Sequence, residues 1–381
     1  GSWGAVMSLE AYVTGLMKEP SPKGMDRLVL SGLSQLEKMY FSQVEKKRTA
    51  DMAAAVSAHV PVISVGNITA GGTGKTPCIL MLAELFFSIG KKPAIISRGY
   101  KSGLEKEGGC VSDGRSILVS QQMAGDEPYM MARKLPSVPI FIGKDRIASV
   151  KRAEEMGVGI LLLDDGFQYW KLRRDQDIIL IDATNPFGYG HGLPRGLLRE
   201  PLDALSRASL FILTKSDQVH LTDLMEIREE LARLAPGVPV LSSTHAPSKV
   251  VPYEKWKAFL HEGTLEDVRM KKAYLVSGIG NPAAFKKTAK EAGLRPVGEM
   301  PFPDHHRYTE EDVRNAISEA KAKGAELIVM TEKDAVKMLS LDSLAESDIP
   351  FYVLEIAMTL PEEDREVLEE FLHAKPQVPH P

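Results

Sequence analysis

The chain lacks any stretch approaching the roughly 18 consecutive apolar residues of a membrane-spanning helix, so no conventional span is expected. Cysteine is scarce: only Cys78 and Cys110 occur, far apart. They form neither a disulfide framework nor a zinc pattern, fit a reducing cytosol, and read as small apolar filler. No charge sign dominates: the net charge of −4 gives no global reason to expect nucleic acid as a partner. Internal repeats and low-complexity tracts are missing too. With 44% hydrophobic and 26% charged residues, bulk disorder is excluded. What is there is an ordinary globular composition over 381 residues, enough for two domains and a large core. Gly1-Ser2 reads as the remnant of a cleavage site and is left out of fold reasoning.

The most informative stretch is VISVGNITAGGTGKT, Val62 to Thr76. It reads as an apolar strand, a glycine-rich loop, and a Lys-Thr pair opening a helix. Gly71, Gly72 and Gly74 carry no Cβ, so the backbone around Thr69, Ala70 and Thr73 is free to curl and present N–H groups to an anion. The helix beginning near Thr76 adds unpaired N–H groups and a positive dipole end. Lys75 is placed to reach β- and γ-phosphates, and the Thr76 hydroxyl to sit on Mg²⁺. The strict pattern has glycine where this chain has Thr69. Strand before and apolar helix after (Cys78 to Phe87) supply the context that a nucleoside triphosphate cradle needs.

Upstream, Met25, Leu28, Leu33, Leu36, Met39, Tyr40 and Val44 recur at mostly helical spacing, with Lys46, Lys47 and Arg48 close behind. Such a helix either packs on a core or lies in a membrane interface. From Val60 to about Thr244, apolar strand-like runs alternate with helical stretches, which predicts a parallel sheet covered on both faces. Sites in such sheets form beyond the carboxyl ends of the strands. There, Arg98 either meets a phosphate or sits in a surface turn. Asp126 and Glu127 either cap a helix or serve as base and metal groups. Asp164 and Asp165 end an apolar strand, the place of a magnesium-side carboxylate downstream of a phosphate loop. A long glycine-rich loop follows, carrying His191 and Arg195 with Arg199 just beyond, and either binds substrate or covers the surface. Thr214-Lys215-Ser216-Asp217 approaches the Asn-Lys-x-Asp box that reads guanine, which keeps a regulatory GTPase open as an alternative. A non-enzymatic, nucleotide-gated membrane adaptor is the other.

Residues 246–271 are irregular, with Pro247, Pro252 and many charges, and mark a domain boundary. A second αβ unit follows. Between two of its strands lies Phe302-Pro303-Asp304-His305-His306-Arg307-Tyr308, with the one adjacent histidine pair in the chain. Neighbouring imidazoles suit metal or acid/base chemistry, or simple surface polarity. The charges of Thr331-Glu332-Lys333-Asp334 follow the next strand end. Three segments are therefore expected: an N-terminal amphipathic segment (8–58), a phosphate-loop domain (59–245) and a C-terminal αβ domain (246–375).

GNITAGGTGKTP (66–77), SRGY (97–100), GDEP (125–128), DDGFQ (164–168), NPFGYGHGLPRGLLREP (185–201), TKSD (214–217), FPDHHRYT (302–309) and TEKDAVK (331–337) appear in this order. Together they resemble the tetraacyldisaccharide 4′-kinases of lipid A biosynthesis, over roughly Ser8 to Leu339. The resemblance implies an α/β protein of two domains with a cleft between them, a parallel phosphate-loop sheet and a smaller αβ partner. It implies transfer of the ATP γ-phosphate to the 4′-hydroxyl of an acylated glucosamine disaccharide 1-phosphate. It also implies a peripheral enzyme on the cytoplasmic face of the bacterial inner membrane, with the 25–44 region facing lipid. A monomer is expected. The family's Asp–His catalytic pair falls on Asp126 and His305, since the family His directly follows an Asp. Lys75 and Arg98 are then the phosphate cations, and Thr76, Asp164, Glu127 and Asp165 the Mg²⁺ candidates.

Overall fold

A computed structural model describes residues 12–19, 22–70 and 74–374. Two sheets organise it. The first has eight strands: β1 (Val62–Gly66), β2 (Pro93–Ser97), β3 (Gly109–Ser112), β4 (Ile140–Ile142), β5 (Ile160–Asp164), β6 (Gln176–Asp182), β7 (Leu210–Thr214) and β8 (Val240–Ser242). Their order is β3-β4-β2-β5-β1-β6-β7-β8, parallel except for the β3 edge. β1 lies in the interior between β5 and β6, with Val65 beside Asp164. All five residues of β1, β2, β5 and β7 are buried, which is why these strands read as unbroken apolar runs.

Helices cover both faces. Cys78, Ile79, Leu82 and Phe86 of helix Lys75–Ser88 pack with Ile63, Val65 and Leu162 on one side. Phe167, Ile179, Phe211 and Leu213 form a core on the other.

The second sheet contains β9 (Thr244–Pro252), β10 (Lys272–Ser277), β11 (Arg295–Pro301), β12 (Leu327–Thr331) and β13 (Phe351–Thr359), in the order β11-β10-β12-β13-β9. The chain crosses between sheets at once, since β9 starts at Thr244 where β8 ends at Ser242. The region expected to be irregular thus opens with a strand, antiparallel to β13. Its prolines are tolerated because β9 is an edge. Helix Glu362–His373, which the sequence groups with the C-terminal unit, returns to the first sheet, burying Leu368 and Leu372 in its core.

Helix Met25–Ala53 is longer than expected, 29 residues, and buries only Leu30 completely. Met25, Leu28 and Met39 are 72%, 70% and 60% exposed. No helix among the described residues is long and apolar enough to cross a membrane.

Candidate active site

The site grows from the carboxyl end of β1. Gly66 has no room for a side chain, because a Cβ there would press on the Phe167 backbone and Cβ. Gly74 caps helix Lys75–Ser88 at φ 75°, and a Cβ on it would stand 2.5 Å from His245 Cε1. Both the left-handed turn and the close imidazole require glycine. Burial, then the Lys215 ammonium, lowers the proton affinity of that imidazole. Ala70 N–H donates to the Leu197 carbonyl at 2.7 Å, and Thr69 bridges to Leu198. The rim of the phosphate loop is thereby tied to the 185–201 loop. Gly71, Gly72 and Thr73 lie outside the described residues.

Lys75 Nζ sits 3.1 Å from Asp165 Oδ1 and donates to Asn67 Oδ1 at 3.4 Å. The Thr76 hydroxyl donates to Glu127 Oε2 at 3.3 Å. Asp164, last residue of β5, accepts from Ser97 Oγ at 3.3 Å and is buried. Burial first, then the carboxylates of Asp165 and Glu127, push its carboxyl from an ordinary 3.8 up to about 6, against the pull of Lys75 and Arg146. Burial also opposes ionisation of Asp165, but Lys75 and Arg199 outweigh it and hold that carboxyl below its usual range. Thr76, Asp164 and Glu127 therefore supply hard oxygen donors with negative charge to spare, whereas Asp165 is taken up by two cations. No group of three or more His, Cys, Asp or Glu side chains among the described residues is arranged to hold a metal by itself. This donor set suits Mg²⁺, which takes one or two carboxylates and completes its shell with phosphate oxygens and water.

Several residues the sequence did not assign hold this centre together. Arg199 Nη2 donates to Asn67 O and Oδ1 (2.9 and 2.6 Å) and pairs with Asp165 at 3.3 Å. Gln168 Nε2 donates to Asn67 O at 2.8 Å. Arg146 Nη1 donates to the Asp164 and Asp165 carbonyls (2.8 and 3.1 Å), fixing the turn where Asp165 adopts φ 51°. Asn67 carries a weak signal in hindsight, a polar residue directly after a fully buried strand. Arg98, by contrast, is exposed and pairs with Glu105 at 3.3 Å.

Asp126 opens helix Asp126–Lys134, accepting from Gln121 Nε2 at 2.9 Å and facing Lys337 Nζ at 3.8 Å. His305 stands on a turn of the second half at φ 64°, its side chain 70% exposed, with Asp304 Oδ2 3.7 Å from Nε2. Among the described residues Asp126 and His305 share no hydrogen bond or ion pair. His306 differs from its neighbour: it stacks on Phe302 at 4.3 Å and bonds Asp312 at 2.9 Å, a packed, structural imidazole. Lys215 of the Thr214–Asp217 box pairs with Asp182 at 3.0 Å.

The family described as Tetraacyldisaccharide-1-P 4′-kinase matches residues 27–376. A tetraacyldisaccharide 4′-kinase of Halothermothrix orenii is 37% identical over 92% of this chain and 94% of its own length. That of Desulfatibacillum aliphaticivorans is 40% identical over 83% and 84%. The crystal structure of LpxK from Aquifex aeolicus in complex with ATP superposes with a TM-score of 0.69 at 28% identity, covering 91% of this chain and 98% of the other.

Proposed function

The chain belongs to the tetraacyldisaccharide 4′-kinase family, and from that premise we propose how its residues divide the work. The protein is a kinase of lipid A biosynthesis that transfers the γ-phosphate of ATP to the 4′-hydroxyl of tetraacyldisaccharide 1-phosphate. Membership in a kinase family sets aside the GTPase and adaptor alternatives.

The observation that carries the site assignment is the meeting of Lys75, Thr76, Asp164 and Glu127 beyond β1 and β5. The N-terminus of helix Lys75–Ser88 receives the triphosphate through its unpaired backbone N–H groups. Lys75 leaves Asp165 to follow charge onto the transferred phosphoryl group, where a fixed cation stabilises the transition state. Thr76, Asp164 and Glu127 would hold Mg²⁺, which when bound neutralises phosphate charge and orients the phosphate oxygens. Asp126 takes the proton from the acceptor hydroxyl, a poor nucleophile until deprotonated. His305 reaches the acceptor from the opposite half, across a cleft between a domain ending near residue 245 and the αβ unit after it. The exposure of Met25, Leu28 and Met39 supports a reading in which helix Met25–Ala53 rests on the cytoplasmic face of the inner membrane and a monomer collects its acylated substrate there.

The test is transfer of label from γ-labelled ATP to the lipid disaccharide in detergent micelles, with Lys75→Ala as the inactive control. Loss of an acid/base group costs about 10²–10⁴-fold in rate. Full rates for both Asp126→Asn and His305→Ala at saturating acceptor would refute the assignment of proton transfer.

A further inference from the structure

Besides Gln121, whose Nε2 donates to Asp126 Oδ1 at 2.9 Å, Asp126 faces the ammonium of Lys337, the last residue of helix Glu332–Lys337 in the second half. Its Nζ lies 3.8 Å from Asp126 Oδ2, is shut off from solvent, and has no hydrogen-bond partner. A buried ammonium without hydrogen bonds is costly, and a carboxylate is the group that compensates it.

The surrounding contacts explain why the pair is held. Helix Asp126–Lys134 and helix Glu332–Lys337 are gripped at both ends: Asp126 meets Lys337 at one, and Lys134 meets Glu332 at 2.6 Å at the other. The second helix is itself fixed by Asp334, which is fully buried and accepts from Gly278 N–H (3.0 Å), Tyr308 O–H (2.8 Å) and Thr331 O–H (2.7 Å). Tyr308 follows, a few residues on, the turn that carries His305. One short helix therefore sets the aim of Asp126 from one end and anchors the His305 turn from its middle.

We infer that Lys337 is a positioning residue for phosphoryl transfer, acting through Asp126: it holds the carboxylate in place, pointed into the cleft. This rests on Asp126 being the base. Misplacement of a reacting group by about 1 Å costs up to about 10²-fold in rate, which sets the size of the expected effect.

The test is a kinetic double-mutant cycle with Lys337→Met, Asp126→Asn and the pair, measured as kcat and KM for ATP in the labelled transfer assay. The expected result is a loss of about 10–10²-fold in kcat for K337M, with KM for ATP held within about twofold. In the D126N background the same change should cost less than about threefold, because the group it acts through is gone. Lys337→Arg, which keeps a cation beside the carboxylate, should recover most of the loss. Multiplicative effects in the double variant overturn the inference, and so does K337M at full kcat when D126N is crippled. D126N at full rate overturns the base assignment and the positioning role together. If K337M does not fold, Lys337→Gln enters the cycle in its place with the same expected and refuting outcomes.

Discussion

Asp164 gives the sharpest test of the site's electrostatics, because it predicts that damaging the site stabilises the protein. In the free protein its carboxylate is buried beside Asp165 and Glu127, which lifts its pKa from 3.8 to about 6. A raised acid favours the native state only while protonated. The penalty is therefore absent below pH 3.8, grows between pH 3.8 and about 6, and is fully present above. The shift of about 2 pH units corresponds to roughly 3 kcal/mol at pH 7.5, of which roughly half remains at pH 5. Asp164→Asn removes the charge, keeps the shape, and leaves an amide oxygen for the Ser97 hydroxyl now 3.3 Å away. The expected outcome is a gain of about 1–3 kcal/mol at pH 7.5 in urea unfolding with EDTA and no nucleotide, shrinking by about half at pH 5. Phosphoryl transfer should collapse in the same variant. A loss of stability at pH 7.5, or a gain that does not change with pH, would sink the reasoning.

Other consequences are more direct. Lys75→Met should lower kcat by about 10²–10³-fold in the transfer assay, as when one fixed transition-state donor is removed; a fall below tenfold would mean that Lys75 does not contact the transferred group. Tyr308→Phe deprives buried Asp334 of one of its three donors and should cost roughly 1–3 kcal/mol of stability, read in urea unfolding. It should also lower turnover, since the His305 turn loses its tether; unchanged kcat would separate that turn from catalysis. Replacing Leu28 and Met39 together by Glu removes two exposed apolar contacts worth roughly 1.5–3 kcal/mol each in a lipid interface. Flotation with liposomes should weaken at least tenfold while urea unfolding stays put; undiminished flotation would exclude this face as the membrane contact.

The interior of both sheets was legible because parallel strands buried on two faces have to be apolar throughout, as β1, β2, β5, β7 and β12 are. The strands that escaped, β3, β9 and β11, are all sheet edges. Edges keep one flank in solvent, accept prolines such as Pro247 and Pro296, and so show no continuous apolar run. The strand, loop and helix around Lys75 were legible for a different reason: a phosphate loop fixes residue types at short spacing. What the sequence concealed is what reaches across it. Asn67 is joined to Arg199 over 132 positions and to Gln168 over 101, and only the folded sheet places those loops side by side. Lys337 and Asp126 belong to motifs recognised separately, and their pairing depends on how the two sheets face each other.

Helix Met25–Ala53 connects the outer surface to this centre, and magnitudes decide in which direction force passes. Its inner side is pinned by Tyr40 O–H to the Arg199 carbonyl (3.1 Å), Arg195 to Ser34 (2.8 Å) and His191 to Glu37 (3.1 Å), with Phe41 against Gly192. Partly exposed polar contacts of this kind contribute about 0.5–1.5 kcal/mol each. One fully buried side chain, Leu30, adds little for a helix of 29 residues. The outer side offers Met25, Leu28, Leu36 and Met39, whose transfer into an interface is worth roughly 1.5–3 kcal/mol apiece. In the proposed membrane-docked state, lipid would hold this helix harder than the protein does, and the 185–201 loop would follow the helix. That loop reaches the phosphate site through Arg199, whose guanidinium bonds Asn67 Oδ1 at 2.6 Å while Lys75 shares the same oxygen at 3.4 Å. Membrane docking should accordingly slow amide hydrogen exchange in residues 185–201 as well as in the helix, in liposomes without nucleotide or acceptor. Protection confined to the helix would show that the surface and the phosphate lysine are not mechanically linked.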